Sequence, residues 1–143
     1  MDSRIKDHLQ RLVKYLNALK DIRKHSKEEF LENDILEASS ERYLQLAIES
    51  CLNIGNRIIS LEQFDKEISA PETYADIFRI LAKIGVVDKC FSEELIKMAK
   101  FRNRLVHIYW DIDKEEMYNI IQTNLGDFEK FIKCVIQYYN KKA

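Results

Sequence analysis

Glycine and proline are scarce in this chain of 143 residues, which has three of the first and one of the second. A turn-rich all-β fold draws heavily on both, so the scarcity argues against one. Long hydrophobic runs are missing too; the apolar stretches are only a few residues long, and none can span a bilayer. The opening residues, MDSRIKDHLQ, are charged and lack the apolar core of a signal peptide, so no membrane association and a cytoplasmic location are expected. Cys51, Cys90 and Cys134 are odd in number and far apart, which argues against a disulfide framework and a zinc site and reads as three buried free thiols. A basic surplus is also absent: the formal net charge is −1. Proteins that grip long nucleic acids by their phosphates usually carry such a surplus, so any nucleic-acid contact here must be local and short.

What the chain does have is helical periodicity. Hydrophobic residues make up 46% and charged residues 33%, a globular composition. With no repeat or long linker, one domain over residues 1–143 is expected. A first helix is predicted from about Ser3 to Lys24, on the three- and four-residue spacing of Ile5, Leu9, Leu12, Leu16 and Leu19. Ser26 with Glu29 resembles a capping box and opens a short helical turn holding Phe30 and Leu31. Asn33 or Asp34 caps a long helix to about Phe64, in which Gly55 allows a neighbour to pack closely. Past the break at Ser69-Ala70-Pro71, a third helix covers about Thr73 to Ile84, with Tyr74, Ile77, Phe78 and Leu81 on one face and Gly85 as its stop. A fourth starts at Asp88 or Ser92. Asp113 with Glu116 opens a last helix, read as unbroken to about Asn140. The expectation is an all-α antiparallel bundle of about five helices.

One segment, Phe101-Arg102-Asn103-Arg104-Leu105-Val106-His107-Ile108-Tyr109-Trp110, carries the candidate chemistry. At about 100° per residue, Lys97, Lys100, Arg104 and His107 share an arc of roughly 80°, while Leu95, Met98, Ala99, Leu105 and Val106 face the core. Arg102 lies near the middle of that apolar arc, with Tyr109 almost in line. A guanidinium there is costly unless paired or hydrated, so Arg102 either ion-pairs with a carboxylate of another helix or lines a cleft, possible also between two subunits. Arg102 and His107 stand about 140° apart on an ideal helix. To reach one phosphate together they need the helix to end or distort near His107, or a site assembled across a dimer.

RNRLVHIYW resembles the signature of the HEPN superfamily, in particular the HepT-type toxins: an arginine, four residues, a histidine, one residue and a tyrosine. Arg102, His107 and Tyr109 match those positions, and Asn103 matches the polar residue that commonly follows the arginine. ERYLQLAIESCLNIGNRIIS, PETYADIFRILAKIGVVD and MAKFRNRLVHIYWDID resemble successive blocks of the same family, together covering about Glu41 to Leu125. The resemblance implies a HEPN-like homodimeric helical bundle, a cognate minimal nucleotidyltransferase (MNT) antitoxin, and a metal-independent ribonuclease activity carried by Arg102 and His107 with no cofactor. It implies further that the antitoxin silences the toxin by AMPylation of Tyr109.

The residues suit that chemistry. RNA supplies its own nucleophile, the 2′-hydroxyl, so cleavage needs proton transfer and charge stabilisation. His107 is suited to the first and Arg102 to the second. Asn103 would orient the phosphate or His107, and Lys97, Lys100 and Arg104 would lead the RNA backbone in, unless they form an ordinary solvated face. AMP on Tyr109 would add negative charge and bulk two residues from His107. Two alternatives stay open: a non-catalytic nucleotide- or substrate-binding subunit of a two-component nucleotidyltransferase, and a structural dimer in which Arg102 is only an ion-pair member.

Overall fold

Most helices in the computed structural model begin at a side chain suited to capping. The structure describes residues 1–107 and 112–142. Asp2 accepts hydrogen bonds from the backbone N–H groups of Arg4 and Ile5 and starts α1, Ser3–Arg23. Ser26 and Glu29 close a reciprocal capping box on the short α2, Lys27–Glu32. Asn33 caps α3, Asp34–Glu62, and Thr73 with Asp76 caps α4, Tyr74–Lys83. The Asp88 carboxylate accepts from the Phe91 N–H at the start of α5, Lys89–His107. Asp113 accepts from the Glu116 N–H and opens α6, Lys114–Thr123, which is followed by α7, Gly126–Lys142. No strand occurs among the described residues, so the fold is all-α.

The last predicted helix is two. Asn124 ends α6, its N–H bonded to the Ile120 carbonyl, and the chain resumes as helix at Gly126. Thr123 turns its hydroxyl onto the Asn119 carbonyl, and Gly126 is a weak helix former. The turn is only two residues long, so the apolar stripe crosses it without losing phase: Met117, Ile121, Leu125, Phe128, Phe131 and Val135 are all buried. The cysteines also differ from expectation. Cys51 is buried, but Cys134 is half-buried and Cys90, on the first turn of α5, is exposed.

The long helix α3 is the spine. Helix α1 packs along it, and α4, α5 and α6 also lie against it. Arg57, near the end of α3, clasps Asp2 at the start of α1 with Nε and Nη2 at 3.2 and 2.9 Å, which fixes the two helices antiparallel. Phe30, Phe78, Phe128 and Phe131 are buried in the shared core, each side chain contributing roughly 2–3 kcal/mol through removal from water. Phe78 of α4 meets Phe131 of α7 edge to face at 6.2 Å.

Two glycines matter for the site. A Cβ on Gly55 would stand 2.6 Å from Cγ2 of Ile77 and 3.2 Å from Cδ1 of Leu81, so its bare backbone lets α4 approach α3. Gly85 ends α4 at φ +88°, with the Val86 N–H returning to the Leu81 carbonyl at 2.9 Å and the Gly85 N–H to Ala82. That sharp stop returns the chain as α5, which packs on α4. Among the described residues no helix is long and apolar enough to cross a membrane.

Candidate active site

Arg102 is held against the spine. Its Nε and Nη2 both donate to one oxygen of Glu49, at 3.3 and 2.9 Å, and its guanidinium lies over the Tyr74 ring at 5.1 Å from the centroid. The partners come from α3 and α4, whose close crossing depends on Gly55. Of the two environments expected for Arg102, an ion pair and a cleft, the structure supplies the first directly. The guanidinium is not sealed: 16% of the side chain stays exposed, and the Nη1 side makes no hydrogen bond among the described residues.

Glu49 is itself held in place. Gln45, one turn earlier on α3, donates to the same oxygen at 3.0 Å. Burial pushes the Glu49 carboxyl up, but hydrogen bonds from Gln45 and Arg102 and the charges of Arg102 and Arg42 outweigh it. The net result lies below the ordinary carboxylate value. Glu49 therefore stays charged near neutral pH and keeps a fixed orientation on Arg102.

His107 is elsewhere. It is the last residue of α5, exposed, with no hydrogen bond or ion pair among the described residues. Because α5 stays helical through His107, the five-residue separation keeps its roughly 140° divergence from Arg102. The helix is unbroken from Arg102 to His107, which is its last residue, so within α5 the two side chains leave on different sides. Tyr109, the expected AMPylation position, lies outside the described residues.

The other candidate residues separate as well. Asn103 is exposed and lines an open cleft with Asn56, Thr73 and Tyr74. Lys97 and Lys100 are exposed, and Lys97 pairs with Glu94 on its own helix at 3.2 Å. Arg104 differs from them: it makes a two-pronged ion pair with Glu116 of α6 at 2.7 and 3.0 Å and lies over the Phe101 ring. A guanidinium so committed ties α5 to α6, and that geometry leaves it poorly placed to lead RNA. Among the described residues no group of three His, Cys, Asp or Glu side chains is arranged to hold a metal ion.

Three residues of the neighbourhood escaped the sequence reading. Glu49 sits beside the apolar stripe of α3, and an acid at such an edge is the complement that a guanidinium on an apolar arc requires. Tyr74, expected on the core face of its helix, is 43% exposed and serves as the surface under Arg102. Asn56 had no local signal at all.

The fold is an all-α bundle of the HEPN type, and its fifth helix carries an arginine and a histidine five residues apart. The family described as HepT-like, Ribonuclease HepT-like, matches residues 5–135. A protein of Shewanella oneidensis named mRNA nuclease HepT is 30% identical over 107 residues, 75% of this chain and 77% of that protein. A protein of Aphanizomenon flos-aquae named tRNA nuclease HepT is 25% identical over 134 residues, 94% of this chain and 88% of the other. The solved structure of the tri-AMPylated Shewanella oneidensis HEPN toxin in complex with MNT antitoxin matches with a TM-score of 0.85 at 25% identity, covering 96% of this chain and 99% of that one. The chain belongs to the HepT-like ribonuclease family.

Proposed function

We propose that this chain is the toxin of a HEPN/MNT toxin–antitoxin pair, a metal-independent endoribonuclease whose active site is completed by a second copy of itself. The observation that carries the nuclease reading is the family match over residues 5–135, with relatives named as mRNA and tRNA nucleases. The divergence of Arg102 and His107 on one unbroken helix favours the two-copy site, in which the phosphate lies between the motifs of facing subunits.

In that site the RNA 2′-hydroxyl attacks the adjacent phosphorus and gives its proton to His107 of the copy facing Arg102. The 5′-oxygen leaves and takes up that proton from the same imidazolium, and a 2′,3′-cyclic phosphate remains. Arg102, with its Nη1 side turned to the phosphate, stabilises the charge that grows on the equatorial oxygens, while Glu49 fixes the guanidinium plane. Asn103, the residue next to Arg102, orients the nucleotide whose phosphate Arg102 holds. Lys97 and Lys100 guide the backbone, and facing sites sum their local fields, which offsets the net charge of −1.

Silencing follows from AMP on Tyr109, installed by an MNT antitoxin. The AMPylated state and antitoxin partner of the Shewanella oneidensis toxin support this reading. Each AMP adds a phosphate charge and a nucleoside near His107, repelling RNA and filling the approach.

Growth of a bacterial host tests the proposal. Expression of the chain alone arrests growth, and Arg102→Ala or His107→Ala relieves the arrest. Co-expression with the partner adds mass in units of AMP at Tyr109. Normal growth with abundant wild-type chain contradicts the toxin reading, and an adduct confined to other residues contradicts the silencing step.

A further inference from the structure

Beside Arg102 an open cleft lies between α3, the segment before α4, and α5, lined by Asn56, Pro71, Glu72, Thr73, Tyr74 and Asn103. We infer that this cleft receives one unpaired RNA base whose Watson–Crick edge sets an exocyclic amino group beside an accepting ring nitrogen, adenine or cytosine, next to the phosphate held by Arg102. The inference rests on the reading of the chain as an RNA-cleaving enzyme and adds its base preference.

Position is the first argument. Asn56 follows Glu49 by seven residues on α3, so the two lie within about 20° of each other on the helix surface and roughly 10 Å apart along it. Asn103 adjoins Arg102 on α5. The face that anchors the guanidinium therefore continues into the cleft, as a nucleotide's base continues from its phosphate.

Chemistry is the second. Tyr74 is 43% exposed and already carries the Arg102 guanidinium over its ring. Together they form a layered aromatic–cation surface of the kind on which unpaired RNA bases stack. Asn56 and Asn103 are exposed, and neither side chain makes a hydrogen bond among the described residues. Two free carboxamides offer donors and acceptors side by side, the pattern that reads an amino group with its neighbouring ring nitrogen. They are also free to do so without breaking any contact that holds the fold.

Charge is the third. Among the described residues no lysine or arginine lines the cleft, and Glu72 does. A carboxylate there repels phosphate and accepts from an amino group, which uracil lacks; the selection against guanine rests on the carboxamides, because guanine's Watson–Crick amino group adjoins an N–H and not an accepting nitrogen. The phosphate is thus directed to Arg102 and the base to the cleft.

The test uses the full chain and four fluorescent 2′-O-methyl pentanucleotides, uridine throughout except for A, C, G or U at the centre. They lack the attacking hydroxyl and cannot be cut, so binding is read alone by anisotropy. The wild type is expected to bind the A and C pentamers roughly tenfold more tightly than the U pentamer, the effect of one good base contact. Asn56→Ala brings the four within about twofold of one another, and Tyr74→Leu weakens all by about tenfold through lost stacking. Equal binding of all four by the wild type, or a preference that survives Asn56→Ala, overturns the inference. Cleavage of ordinary single-stranded RNA by the same preparation separates the two claims. Cutting with no base preference in binding refutes the cleft and leaves the nuclease. Preference without cutting leaves the base site and removes the nuclease.

Discussion

Arg102 of α5 and Glu49 of α3, 53 residues apart in sequence, share a single carboxylate oxygen that accepts from both Nε and Nη2. Gln45 donates to that same oxygen, so the arginine is oriented by a carboxylate that is itself oriented. An arginine meant only to fill an ion pair would do well with both oxygens engaged. Here the guanidinium is anchored along one edge and open along the other. Glu49→Gln keeps the shape and removes the charge. It should lower kcat for RNA cleavage with little change in KM, since the guanidinium loses its fixed plane, and should cost about 1 kcal/mol of stability, read as a fall in Tm of about 3 °C. A fall in Tm with kcat unchanged would assign Glu49 a structural role only.

Gly55 sets the distance between α3 and α4, and so the position of Tyr74 under Arg102. In Gly55→Ala the new methyl falls 2.6 Å from Cγ2 of Ile77, a branched methyl in the core that cannot swing aside. Overpacking should cost about 1–3 kcal/mol, only partly offset by about 1 kcal/mol of helix propensity. Chemical denaturation reads the loss, and a variant as stable as the wild type would contradict this account of the crossing.

The clasp between Asp2 and Arg57 makes acid stability depend on one carboxylate. The Arg57 guanidinium holds the Asp2 carboxyl down, to about 2. A depressed folded-state pKa means stability that is fully present above the ordinary aspartate value and is lost as pH falls through the folded one. Asp2→Asn should therefore lower Tm at neutral pH and flatten its decline between about pH 4 and pH 2. Parallel Tm-against-pH curves for the two proteins would contradict the clasp.

Lys100 and Arg104 share an arc but should behave differently. Lys100 is exposed, and Lys100→Ala should reduce the slope of log affinity for single-stranded RNA against log salt by about 0.7, one phosphate contact. Arg104→Ala breaks the pair with Glu116 and should lower Tm while leaving that slope near wild type. Equal effects on the salt slope would return Arg104 to the RNA-guiding set.

Local signals were legible in the sequence because their physics is local. Ser26 with Glu29 and Asp113 before α6 announce helix starts within four residues of themselves, and Gly85 announces a stop. The break at Asn124-Leu125 was hidden because a two-residue turn preserves the phase of the buried stripe. Arg102 stood out as a charge on an apolar arc, but its partner could not be read, since Glu49 reaches it across the fold and not along the chain. Tyr74 looked like a core residue by spacing and is instead a half-exposed support. The 140° between Arg102 and His107 was legible from helix geometry alone, and α5 keeps it by staying helical from the one to the other.

The most direct test of the two-copy site mixes two inactive proteins. Purified Arg102→Ala and His107→Ala chains are each expected to leave RNA uncut. Allowed to exchange subunits at equal amounts, they should recover about one quarter of wild-type cleavage, because half the dimers are mixed and each of those rebuilds one of its two sites. A mixture as inactive as its components, although mixed dimers form, would contradict an active site shared by Arg102 of one copy and His107 of the other.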